Sequence, residues 1–309
     1  MAVAADILQT AFLNEEKDMQ GYFYGWYLKC QSETYTLAVI PAVHRTGRKC
    51  TCSVQIITED GAWTADFPCE AFRRRRKSVR IDKNLFCERG IRLSVHTPEL
   101  TAEGKLIFGP LWPLKYDIMG PFSLVPFMEC RHSVWSMCHS VNGKVCINGQ
   151  NITFRNAVGY WEGDRGRSFP KEYVWTQCCF PGGSLMLSVA DIPIAGMHFT
   201  GIIGVVVWRG KEYRLVTYLG ARADKVHDRK VRVVQGKLVL EAWLLEAAER
   251  PLKAPANGNM ARTIQESAAC RAFYSFRKGK QVLFSFETDK ASFEYEYCNQ
   301  DAIMVSYKK

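Results

Sequence analysis

Between Gly159 and Cys179 the chain reads GYWEGDRGRSFPKEYVWTQCC. Tyr160, Glu162 and Asp164 alternate there, so an extended strand carries all three on one face. Two carboxyls beside aromatic rings are the ingredients of a proton-donating apolar pocket. Burial disfavours the charged carboxylate and keeps a carboxylic acid protonated near neutral pH. The same alternation also fits a half-exposed strand with a solvated acidic face, which is the commoner case.

A second constellation is MECRHSVWSMCH, residues 128–139. On a strand, Glu129, Arg131, Ser133, Trp135, Met137 and His139 share one face, and Cys130 and His132 share the other. His132 and His139 therefore point oppositely and cannot chelate one metal together without a bulge. A lone strand histidine is first a hydrogen-bonded core or rim residue; both are retained as proton-transfer candidates. Asp191, in ADIP, reads as a turn former before it reads as a buried carboxylate. Cys50 and Cys52 form C-x-C, Cys178 and Cys179 are adjacent, and no CxxC pair exists, so no metal site is expected. There is no P-loop, dinucleotide fingerprint, nucleophile elbow or HExxH, and no cofactor is expected.

Strands must position these residues. YGWYLKC, YTLAVIP, CTCSVQIIT, SLMLSVADIP, GIIGVVVW and KQVLFSFET are short β-rich runs bounded by Gly, Pro or Asn. Their spacing predicts an all-β chain of antiparallel strands. Only the first dozen residues and a piece near 244–250 look helical. The stretch 111–126, with its three prolines, reads as a linker. It divides the chain into an N-terminal module, 1–125, and a C-terminal module, 126–309. A weak echo supports two similar halves: Trp26 precedes Cys30 by four residues ahead of a strand ending in Ile-Pro, and Trp175 precedes Cys179 in the same way.

With 309 residues, 47% hydrophobic and 23% charged, the chain has the composition of a globular protein with a sizeable core. Of the net charge of +10, +7 lies between Ala71 and Arg92, around the RRRRK run Arg73–Lys77. No nucleic-acid-binding signature surrounds that run, so no nucleic-acid partner is expected. A solvated loop or a weak contact with an anionic membrane surface fits it. The longest apolar run, GIIGVVVW, is too short to span a bilayer. No secretory signal is visible, so a cytoplasmic location, peripheral to a membrane at most, and reduced thiols are expected.

In order along the chain, YGWYLKC, MECRHSVWSMCHSVNGKVCINGQNITF, GYWEGDRGRSFPKEYVWTQCC, SVADIPIAGMHFTG and MARTIQESAAC with ASFEYEY resemble the tocopherol cyclase-like family. The resemblance runs from about Gly21 to Tyr297. It implies two lipocalin-like β-barrel or half-barrel modules and a hydrophobic, prenylated small-molecule ligand. It also implies a cofactor-independent ring closure, in which a side-chain alkene is protonated and a phenol oxygen traps the cation. On that reading Asp164 and Glu162 are candidates for the acid and His139 for a proton carrier. Tyr160, Trp161, Trp175 and Trp26 would line the site, because aromatic faces stabilise a cation. Gln177 and Glu129, in the W-x-Q-C and E-C-x-H positions, are candidate substrate contacts. Arg165 and Cys179 stand where the family has Trp and Asn, and Gly163 where Lys is common; such changes in a pocket suit a different ligand. A non-catalytic carrier or sensor of an apolar ligand is the rival reading.

Overall fold

The computed structural model describes residues 21–125, 128–194, 197–247 and 250–297. They form two large antiparallel sheets with no α-helix among them. The first comprises β1 (Gly21–Gln31), β2 (Thr36–Thr46), β3 (Lys49–Thr58), β4 (Ala62–Pro68), β5 (Phe72–Arg75), β6 (Ser78–Ile81), β7 (Asn84–Cys87), β8 (Gly90–His96), β9 (Thr101–Phe108), β10 (Cys130–Ile147) and β11 (Gln150–Gly166). The second comprises β12 (Tyr173–Phe180), β13 (Gly183–Ile194), β14 (Met197–Trp208), β15 (Lys211–Val216), β16 (Arg222–His227), β17 (Lys230–Gln235), β18 (Leu238–Glu246), β20 (Asn259–Lys278) and β21 (Gln281–Tyr295). β19 (Arg250–Ala256) pairs with β20 off the main path.

Both sheets share one plan. In the first the order is β4-β3-β2-β1-β11-β10-β9-β8-β7-β6-β5, and in the second β15-β14-β13-β12-β21-β20-β18-β17-β16. Each opens with a four-strand meander and pairs its first strand with its last, β1 with β11 and β12 with β21. The echo between YGWYLKC and YVWTQCC falls on the two first strands. Each sheet is curled, because residues from its far ends meet in one core. Val54 and Ala65 of one end of the first sheet pack in the same core as Val79 and Phe86 of the other. The fold is thus two lipocalin-like modules.

The changeover between sheets lies between Gly166 and Tyr173, so β10 and β11, which follow the proline-rich stretch, belong to the first sheet. That stretch instead crosses to the second module. Arg214 donates to the carbonyls of Tyr116 (2.6 Å) and Asp117 (3.1 Å), and Arg131 to those of Ser123 and Val125. Among the described residues the expected helix near 244–250 is not formed: Leu244–Glu246 ends β18 and Arg250 starts β19. Leu240, Ala242 and Leu244 alternate into the second core, and period 2 wins over helix propensity. The expected N-terminal helix lies outside the described residues.

The expectation of wholly reduced thiols is corrected. The β3–β4 pairing sets Thr51 opposite Pro68 and brings Cys50 to Cys69, Cα atoms 5.4 Å apart, where they form a disulfide. Nine other described cysteines are free. Among the described residues no helix is long and apolar enough to cross a membrane.

A third core lies between the modules, where Tyr27, Ile57 and Tyr160 of the first sheet meet Trp175, Met186 and Val205 of the second. Central strands are therefore buried on both faces, which explains why β1 and β12 read as near-continuous apolar runs.

Candidate functional site

β11 is the hinge of the site because its two faces go to different places. Trp161 points into the first module's core, its ring 4.8 Å from Trp26 and 5.4 Å from Trp135. Gly163 lies on that side too, and a Cβ there would stand 2.7 Å from the Trp26 ring, so only glycine lets the indole pass. The opposite face presents Tyr160, Glu162 and Asp164 between the modules, as alternation requires.

β10 supplies the partner. His132 is directly opposite Asp164 in register, and its Nδ1 lies 2.8 Å from Asp164 Oδ1. Its Nε2 is 3.1 Å from Glu162 Oε2, close enough for an ion pair but off-line for a hydrogen bond. Burial alone would lower the imidazole pKa; the charges of Glu162 and Asp164 outweigh it and hold His132 well above its ordinary value. The group is therefore an imidazolium clasped by two carboxylates. Tyr160 donates to Glu162 Oε2 at 2.5 Å, and Trp175 Nε1 approaches the same oxygen at 3.4 Å. Burial, then the Glu162 charge, raises the Tyr160 phenol and keeps it neutral.

The second module completes the site from β12 and β21. Glu294 stands opposite Trp175 in register and accepts a 2.5 Å hydrogen bond from the Tyr173 hydroxyl. Burial pushes the Glu294 carboxyl up to about 8; Tyr173 pulls the other way, while the charges of Glu162, Glu296 and Asp164 add to the rise. Glu294 is thus a neutral carboxylic acid at pH 7, lining the same cavity as an ion triad that holds the negative charge.

These groups face an apolar cavity of about 800 Å³, open mouth included. Besides His132, Glu162, Asp164 and Glu294, its wall includes Phe169, Trp175, Ile192 and Phe199, with Met119 and Phe122 of the proline-rich strap across the top. Glu162 is 4% exposed at its side chain and Asp164 22%, which makes Asp164 the wetter carboxylate.

The structure brings Asp164, Glu162 and Trp175 together at this cavity, and Trp26 to a neighbouring one. Tyr160 lies one step behind, bonded to Glu162. Four expected site residues are elsewhere. Trp161 is core, for the alternation reason above. His139 is buried against Phe108 and over Gly159, on the far side of β10 from His132; burial lowers its pKa to about 4. Gln177 is buried in β12 and bonded to Cys179 Sγ. Glu129 uses its backbone carbonyl to hold Arg167 and Ser168, and its side chain lines neither cavity. The residues that sequence reasoning missed are Glu294 and Tyr173. Glu294 carries the signal that picked out Glu162: in SFEYEY, acids alternate with aromatic rings.

Among the described residues His132, Glu162 and Asp164 form a set whose ligand atoms lie within 4.8 Å of one another, close enough to hold a metal ion. In the observed geometry both imidazole nitrogens already face carboxylate oxygens, so the imidazolium takes the place between them that an ion would fill and offsets one of their two charges.

No protein-family model and no curated protein matches the sequence. Solved structures do match the fold over nearly the whole chain. CghA in complex with Sch210972 superimposes with a TM-score of 0.58 at 9% identity, covering 91% of this chain and 90% of that one. Kievitone hydratase of Nectria haematococca gives 0.54 at 8% identity, covering 89% of each. A protein of Nitrosomonas europaea assigned as an AttH gives 0.52 at 10% identity, covering 91% and 94%. At such identities the likeness is one of fold.

Proposed function

We propose that this chain is a cofactor-independent enzyme of the cyclase or hydratase type that protonates a carbon–carbon double bond of an apolar small molecule. The observation that carries this reading is the buried Glu294 carboxyl, bonded to Tyr173 and lining an apolar cavity together with the His132–Glu162–Asp164 triad. In the cyclase form, Glu294 gives its proton to the alkene and becomes a carboxylate. The tertiary cation so formed is stabilised by the Trp175 and Phe169 rings. A hydroxyl oxygen of the same substrate forms the new C–O bond, and its proton passes to Asp164, the more accessible carboxylate. Return of one proton to Glu294 closes the cycle, and substrate and product are isomers. His132 orients both carboxylates and keeps the charge of the triad fixed. A likeness of fold to CghA and to a hydratase supports a scaffold suited to such substrates; the sequence resemblance to tocopherol cyclase-like proteins suggests a prenylated phenol.

Incubation with a prenylated hydroquinone in D2O tests this. The expected product is a chroman carrying one non-exchangeable deuterium. Glu294→Gln should abolish its formation while retaining binding, and Asp164→Asn should slow it by about 10²–10⁴-fold, the usual worth of a positioned base. Binding without turnover in the wild type would establish a carrier instead, and full turnover in Glu294→Gln would overturn the assignment of Glu294 as the acid.

A further inference from the structure

A second cavity, of about 570 Å³ with its open mouth included, lies behind the acid cluster. Glu162, Asp164, Phe169, Trp175 and Glu294 line both cavities and so form the partition between them. The chambers differ beyond that partition. The first continues into thioether, aliphatic and phenyl groups of Met119, Phe122, Ile192 and Phe199. The second contains His44 and Gln55 among Phe23, Ile40 and Leu252.

His44, on β2, is only 5% exposed, and burial lowers its imidazole to about 4, so it is neutral at physiological pH. Its Nε2 lies 3.4 Å from Ser53 Oγ, and no described group hydrogen-bonds to Nδ1. With Nε2–H directed at Ser53, Nδ1 is left as an acceptor. Gln55, by contrast, is committed: its Nε2 donates to the Lys253 carbonyl and its Oε1 accepts from Thr64. A buried acceptor without a donor costs about as much as a lost hydrogen bond, so what fills the chamber is expected to bring one.

We infer that the second cavity is a head-group subsite for a planar ring bearing a hydroxyl, a phenol or an enol, whose O–H donates to His44 Nδ1. The rest of the ligand is an apolar chain that passes the partition into the first cavity. This seats the junction of ring and chain beside Glu294, where the proposed chemistry needs its double bond. The inference rests on the proposed site for that last point alone; head-group selection is a statement about affinity.

The test measures binding of 4-dodecylphenol, its methyl ether and dodecylbenzene, by quenching of tryptophan fluorescence, to the wild type, His44→Phe and Glu294→Gln. The phenol should bind the wild type about fivefold more tightly than the ether, the worth of one neutral hydrogen bond. His44→Phe should bind phenol and ether equally and dodecylbenzene as the wild type does. Glu294→Gln should keep the phenol preference even though turnover is lost, which separates failure of this subsite from failure of the acid. Should His44→Phe not fold, the ¹⁵N resonance of His44 Nδ1 in the wild type serves: the phenol should move it and the ether should not. No preference in the wild type, a preference that survives in His44→Phe, one that vanishes only in Glu294→Gln, or an unmoved resonance would overturn the inference.

Discussion

Replacing Glu294 by Gln should make the protein more stable at neutral pH, and the gain should grow with pH. A carboxyl raised from 4.5 to about 8 binds its proton more tightly in the folded state than in the unfolded one. Such a group adds nothing unfavourable below pH 4.5; stability is then lost as pH rises, until the folded carboxyl ionises near 8. The loss is about 1.4 kcal/mol per pH unit, or about 3 kcal/mol at pH 7 and about 5 kcal/mol above pH 8. Glutamine is neutral throughout, and its amide oxygen can still accept the Tyr173 hydroxyl. Urea unfolding of wild type and Glu294→Gln at pH 5, 6, 7 and 8 measures the difference directly. The two should be nearly equal at pH 5 and separate by a few kcal/mol at pH 8, with the variant the more stable. Equal pH slopes, or a variant destabilised at every pH, would refute the argument that Glu294 is a desolvated acid kept at a cost to the fold.

Three further outcomes follow from the same geometry. His132→Gln removes the cation from between Glu162 and Asp164 and should cost about 3–5 kcal/mol, read as a fall in thermal midpoint; since the folded imidazole is held well above its ordinary value of 6.5, the loss should be greatest below that ordinary value and fade as pH rises toward the folded one. Trp161→Ala should cost about 3–5 kcal/mol by cavity formation in the first core, without changing ligand specificity, because its ring faces away from both cavities. The β5–β6 hairpin exposes Arg73, Arg75, Arg76 and Lys77; vesicles containing anionic lipid should bind the wild type at low salt and release it at high salt, and a variant neutralised at those four positions should not float with them.

The all-β class and the strand runs were legible because period 2 survives wherever a strand has one wet face. The faces of β11 were legible for the same reason, and they placed Tyr160, Glu162 and Asp164 correctly on one side. The same alternation, applied to Trp161, would have assigned it to the core. What the sequence could not supply is which strand lies beside β11. The pairing with β10 puts His132 against two carboxylates, and the approach of β12 and β21 from the other module adds Trp175, Tyr173 and Glu294. Those contacts join different strands, from 13 positions apart for Glu162 and Trp175 to 121 for Tyr173 and Glu294, and no local pattern encodes them. The Cys50–Cys69 bridge was hidden likewise, since the β3–β4 register and not the C-x-C spacing brings the two sulfurs together.

The most direct test is the protonation state of Glu294 itself. Infrared difference spectra of wild type against Glu294→Gln, recorded across a pH series in H2O and D2O, isolate the carboxylic C=O stretch of this one residue. A deuterium-sensitive protonated-acid band should be present at pH 6 and disappear as pH rises through about 8. If the spectrum at pH 6 shows only the carboxylate bands, Glu294 is already ionised, and the cavity holds no acid able to protonate a double bond in the way proposed.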